Sequence, residues 1–163
     1  LAPLTATGIE QAKETGRKLR GCEARCIIAS PMTRALQTAC LIAAETGLPL
    51  ASVEFDLREW LPDSTLSWRT FDEVKAAGAD YDRCAGEWPA GEIRTWEPRS
   101  SVLRRALGVL QRQAEADDQP FVAVCHSMVM EALTGDRGIE FCGVRRIDDL
   151  ERLVQLHSAD LRQ

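Results

Sequence analysis

The run Ser30-Pro31-Met32-Thr33-Arg34 brings a hydroxyl, a proline and a guanidinium together at a spacing that suits an anion. Just before it, Cys26-Ile27-Ile28-Ala29 is a short apolar stretch of the kind that forms a buried parallel strand. Ser30 can act as N-cap and Pro31 as the first helical residue, so the pair predicts a helix start. Arg34 then lies one turn inside that helix. Helical side chains lean back toward the N-terminus, which carries the guanidinium to the crevice at the strand's carboxyl end. Open α/β sheets bind ligands in that crevice, and a helix N-terminus with an added arginine suits phosphate. A strand-to-helix turn with a solvated arginine fits the same residues equally well.

Two further residues could do chemistry. Glu59, in Leu57-Arg58-Glu59-Trp60, follows a strand expected over 53–55 and would sit at its end. His126 follows Phe121-Val122-Ala123-Val124-Cys125, the strongest strand pattern in the chain, and Ser127 can cap the next helix. A carboxyl group and an imidazole at strand ends can transfer protons or hold phosphate oxygens. Any single glutamate or histidine is, by default, solvated or structural.

The elements that must position these residues read in chain order. Thr5 or Thr7 opens a first helix, Thr7 with Glu10 fitting a capping box, and Ile9, Ala12 and Leu19 form its stripe before Gly21. The helix from Pro31 runs to about Thr46, with Leu36, Ala39, Cys40, Ala43 and Ala44 as its buried face, and Gly47-Leu48-Pro49 ends it. Residues 61–96 read as an irregular, lid-like insert rich in Trp and Arg, with one helix over 71–77. Most of its aromatics are expected to pack on the domain's own core, and substrate choice is expected to reside there. Glu97-Pro98 opens a long helix to about Ala116 with Val102, Leu103, Ala106, Leu107 and Leu110 as its stripe. Residues 138–146 read as a closing strand, and His157 as a surface residue of the charged tail.

Together the motifs resemble those of the histidine phosphatase superfamily, the phosphoglycerate-mutase-like proteins. Leu4-Thr5-x-x-Gly8-x-x-Gln11-Ala12 is similar to the segment after that family's catalytic loop. Ser30-Pro31-x-x-Arg34-Ala35-x-Gln37-Thr38-Ala39 resembles its second signature, and Leu57-x-Glu59 its acid segment. Glu97 with Arg104 or Arg105 resembles a Glu-x6-Arg pattern, and Val124-Cys125-His126 the last signature, with Ser127 where Gly is usual. The resemblance runs over about residues 4–147. It implies a three-layer αβα sandwich with a mostly parallel sheet: a single domain over 1–163 that lacks its first strand, with the 61–96 insert inside it.

The resemblance also implies roles. Arg34, Glu59 and His126 are the expected catalytic residues, and Arg34, His126 and Ser127 the expected phosphoryl-binding ones. In the family a histidine in an N-terminal Arg-His-Gly attacks phosphorus, and neither a metal nor a cofactor is needed. This chain has no Arg-His-Gly. His126 fills the other role and His157 follows the last expected strand, so the nucleophile is expected upstream of Leu1 and the chain alone is expected to be inactive. The strand that would carry it is expected between 26–29 and 121–125, so the chain alone is expected to fold poorly. The parent protein is expected to be a phosphomonoesterase acting on a small phosphorylated substrate. A mutase and a non-catalytic, phosphatase-like binding protein are the alternatives. Cys125 is a poor candidate for a Cys-based phosphatase, because His126-Ser127-Met128-Val129-Met130 is no Gly/Arg-rich phosphate loop.

Bulk properties agree with one globular domain. At 163 residues the chain can bury a substantial core. A formal net charge of −5 argues against nucleic acid as a partner, and no apolar run reaches a membrane span. Six cysteines without paired short spacings and only two histidines disfavour a zinc site and suggest reduced core thiols in a cytoplasmic protein. Oligomeric state is left open.

Overall fold

The computed structural model describes residues 2–157. Its framework is a parallel three-stranded sheet in the order β2-β1-β3, with β1 at Ile27–Ala29, β2 at Leu50–Val53 and β3 at Val122–Val124. β1 is central, and all three of its residues are fully buried. Its side chains alternate between two cores, as the period of a strand requires. Ile28 enters one core with Val102, Leu103, Ala106, Leu107 and Val129. Ile27 and Ala29 enter the other with Ala35, Ala39, Ile42 and Val124.

Those cores define three layers. On one face lie α1 (Ala6–Lys18) and α2 (Thr33–Thr46), packed on each other and, through α2, on the sheet. On the other lie α4 (Arg99–Ala116) and α5 (Ser127–Thr134), with α3 (Phe71–Arg83) and α6 (Leu150–His157) outside them. The architecture is the expected αβα sandwich with a parallel sheet. The long helix forms with every residue of its expected stripe buried, and Val109 with them.

Several expectations are corrected. β1 and β3 do not flank a gap. They pair directly, Ile27 with Val122, Ile28 with Ala123 and Ala29 with Val124, and Val122 N–H donates to the Cys26 carbonyl at 2.9 Å. The second strand covers 50–53 rather than 53–55. Phe55–Leu57 is a 3₁₀ turn instead, anchored by the buried Leu57. The face of α2 is rotated from the expected one: Ala35, Ala39 and Ile42 are buried while Cys40 and Ala44 are exposed. α3 extends to Arg83 because Thr70 and Glu73 form a complete capping box and Tyr81 anchors the last turn in the core.

Residues 138–146 form no strand. Cys142 takes a positive φ of 56°, which interrupts an extended run, and its carbonyl instead accepts from the Thr15 hydroxyl of α1 at 3.0 Å. His157 is half-buried at the end of α6 and is not without a partner. Of the insert's tryptophans, Trp60 and Trp96 are buried and linked edge-on through Tyr81, whereas Trp68 and Trp88 remain partly exposed. The cysteines are free thiols, but only Cys26 is fully in the core. Among the described residues, no helix is long and apolar enough to cross a membrane.

Candidate active site

Parallel pairing puts the carboxyl ends of all three strands on one edge. The backbone ties that edge together: Ser30 N–H donates to the Val124 carbonyl at 2.9 Å and Glu54 N–H to the Ala29 carbonyl at 2.8 Å. From it emerge the segments that carry Arg34, Glu59 and His126.

Ser30 does not cap the helix. α2 starts at Thr33 with Met32 as N-cap, and Ser30 is fully buried. Its Oγ lies 2.7 Å from His126 Nε2 and accepts a longer bond of 3.3 Å from Met32 N–H. A partner 96 residues away outcompetes local capping because the two strand ends are hydrogen-bonded neighbours. Arg34 is the second residue of α2, close to where the sequence places it. Gln37, from the same motif, accepts from Leu4 N–H at 2.7 Å and holds the approach to α1 against α2.

His126 is the N-cap residue of α5, so Ser127 is the first helical residue rather than the cap, and it is exposed. The imidazole is 6% exposed, and its Nδ1 lies 3.9 Å from Glu59 Oε2. Burial, with the positive charges of Arg34 and Arg105 nearby, pushes the His126 pKa down to about 3, so the ring is neutral at physiological pH. Glu59 is shifted the other way. Burial raises its pKa above the usual carboxyl value, and the Trp60 N–H, Arg34 and Arg105 only partly offset this. Arg34 thus bears on both groups. The structure brings together all three expected catalytic residues, with Ser127 exposed beside His126 in the chain.

Glu59 is held by residues on both sides. Arg105 Nη1 donates to the carbonyls of Asp56 and Arg58 at 2.6 and 2.7 Å, and Nη2 to that of Glu59 at 3.3 Å. On the other side, Glu97 N–H donates to the Leu61 carbonyl at 2.9 Å, and Trp60 Nε1 donates to the Glu97 carbonyl at 2.7 Å. Glu97 and Arg105 then pair with each other at 2.7 Å. The sequence left Arg104 and Arg105 as alternatives. Arg104 is exposed, and Arg105 is the partner. Neither the Ser30–His126 bond nor the Arg105 clamp was foreseen, although the Glu97 spacing pointed at the second.

Burial pushes the Cys125 thiol up to about 12, which keeps it protonated at neutral pH. Among the described residues, no group of three His, Cys, Asp or Glu is arranged to hold a metal ion. Two clefts lie elsewhere. One of about 270 Å³ is lined by Tyr81, Arg99, Glu131 and Arg137, and one of about 510 Å³ by Asp63, Trp68, Glu73 and Arg94. Neither touches Arg34, Glu59 or His126.

A parallel sheet with this edge is the ground plan of the phosphoglycerate-mutase-like folds. The sequence model of the histidine phosphatase superfamily (branch 1) matches residues 2–146, and the chain belongs to that superfamily. Among solved structures it is similar to YhfR of Bacillus stearothermophilus, with 25% identity and a TM-score of 0.66 over 82% of this chain and 66% of that one. It is similar also to the mycobacterial glucosyl-3-phosphoglycerate phosphatase Rv2419c in complex with VO3, with 25% identity and a TM-score of 0.63 over 82% of this chain and 68% of that one. A third is the open reading frame Rv3214 of Mycobacterium tuberculosis, with 26% identity and a TM-score of 0.55 over 80% and 64% of the two chains. This chain therefore spans about two thirds of the length of the structures it resembles. No curated protein matches it.

Proposed function

We propose that this chain carries the phosphoryl-gripping and proton-transfer half of a phosphomonoesterase that works through a phosphohistidine. The convergence of Arg34, Glu59 and His126 on one edge of a parallel sheet carries the reading. In it, Arg34, the neutral His126 ring and Ser127 hold the non-bridging phosphoryl oxygens, so that charge developing in the transition state meets fixed donors. Glu59, whose pKa is raised by burial, is the general acid that protonates the departing alkoxide and then takes a proton from the attacking water. Neither step calls for a metal or a cofactor. The small phosphorylated substrate fits the company of a glucosyl-3-phosphoglycerate phosphatase among its structural neighbours.

The phosphoryl acceptor belongs, on this reading, to sequence beyond this chain. His126 is already bonded through Nε2 to Ser30, and His157 ends α6 in the last described turn. Residues 61–96 serve as the part of the domain that meets the leaving group. The test is to express the whole coding region and trap the enzyme with a radiolabelled phosphomonoester. An acid-labile, base-stable phosphoenzyme that is lost in Arg34→Ala is expected. Phosphate release without such an intermediate, or undiminished trapping in Arg34→Ala, would falsify the assignment.

A further inference from the structure

The buried bond between Ser30 and His126 fixes more than the ring's position. Ser30 Oγ has one proton to give and two lone pairs to receive. One lone pair already accepts the Met32 N–H at 3.3 Å. The second contact is the ring nitrogen Nε2 at 2.7 Å, and either atom could donate there. If Nε2 carried the proton, Ser30 would accept twice and its own hydroxyl proton would need a third partner. Ser30 is fully buried, and among the described residues no other acceptor is hydrogen-bonded to it. If Ser30 donates, both of its contacts are satisfied: Met32 N–H to Oγ, and Oγ–H to the Nε2 lone pair.

We propose that Ser30 is a positioning residue that sets the tautomer of His126, keeping Nε2 unprotonated and the ring proton on Nδ1. That nitrogen is the one on the Glu59 side of the ring, 3.9 Å from Glu59 Oε2. The neutral imidazole is then locked as an N–H donor aimed at the site. A free neutral ring, which leans toward the Nε2–H form, would present a lone pair there instead. A lone pair would repel a phosphoryl oxygen, whereas an N–H binds it. The tautomer is a property of the chain as it stands, and only its catalytic value rests on the reading above.

The test needs no turnover. The chain has two histidines, so the His157→Gln variant leaves one ring to observe. Two-bond ¹H–¹⁵N correlation spectra of that variant are expected to show a protonated, pyrrole-type Nδ1 and an unprotonated, pyridine-type Nε2, unchanged from pH 8 to pH 5. Adding Ser30→Ala is expected to move the ring toward the Nε2–H form. A protonated Nε2 in the Ser30 protein overturns the proposal, and that spectrum decides even where Ser30→Ala does not fold. An unchanged tautomer in folded Ser30→Ala overturns it too. A confirmed tautomer together with no phosphoenzyme from the whole coding region leaves this inference standing and removes the functional reading alone.

Discussion

Arg105 and Glu97 meet at 2.7 Å with side chains only 8% and 5% exposed. Both then spend their remaining polar atoms on the turn that presents Glu59, Arg105 on residues 56–59 and Glu97 on residues 60–61. The pair is therefore a bracket around the carboxylate. Its charges are balanced by each other and by Arg58, whose Nη2 lies 3.4 Å from Glu97 Oε1.

Breaking this bracket from one side strands a buried charge. Arg105→Met should destabilise the fold by about 3–5 kcal/mol, the usual cost of orphaning one partner of a buried pair. Arg105→Met combined with Glu97→Leu should cost clearly less than the sum of the two single changes. Urea unfolding of the four proteins of this cycle gives the coupling directly, and strict additivity would show that the two residues act independently.

A general acid matters in proportion to the leaving group's need for a proton. Glu59→Gln keeps the shape and loses the donor. In a version of the protein that turns over, phosphoenzyme formation from an alkyl phosphate should slow roughly 10²–10⁴-fold, and that from a nitrophenyl phosphate much less. Single-turnover kinetics isolate this step, since on the proposed reading Glu59 would also activate water in the next one. Equal losses for both esters would leave Glu59 as a positioning residue.

The depressed pKa of His126 makes stability depend on pH with a definite sign. Between about 3, its folded value, and the ordinary histidine value of 6.5, the unfolded chain binds a proton that the native ring refuses. Stability from this group is therefore present above pH 6.5 and is lost as pH falls toward 3. Relative to His126→Asn, which has no proton to gain, the parent chain should lose about 2 kcal/mol between pH 7 and pH 5. Chemical denaturation of both proteins at the two pH values measures it. A constant difference would mean that the ring titrates normally.

At Gly16, α1 lies close against α2. A β-carbon built there would lie 2.7 Å from Glu45 Cβ and 3.2 Å from Ile42 Cα, too close to either. Alanine gains about 1 kcal/mol in helix propensity, but forcing the helices apart costs about 1–3 kcal/mol. Gly16→Ala should therefore lower the melting temperature, and a rise would show that the helices separate easily.

What could be read from the sequence follows from where each signal resides. β1 and α4 were legible because each is buried along a run or a stripe, and burial writes itself into residue type, while β3 was legible from its apolar run although only Val124 in it is buried. β2 was misplaced because three of its four residues are exposed, so Leu50–Val53 carries no apolar run. Arg34, Glu59 and His126 were legible through their motifs. Ser30 looked like a cap because capping is a local property, while its real partner is 96 residues distant. Arg104 and Arg105 are the same residue type one position apart, and only the direction of α4 separates them.

The order β2-β1-β3 has a kinetic consequence. The strand that arrives last in the chain pairs with the first, and the Ser30–His126 bond closes a loop of 96 residues. Contacts of such separation repay their loop-closure entropy only when the rest of the molecule is already condensing. The crevice therefore has no local precursor: α2 can form early with Arg34 on it, yet the imidazole and the carboxylate reach it only with the final sheet. During refolding, the His126 tautomer signal should appear in step with the last tertiary burial, and the helical signal should precede it.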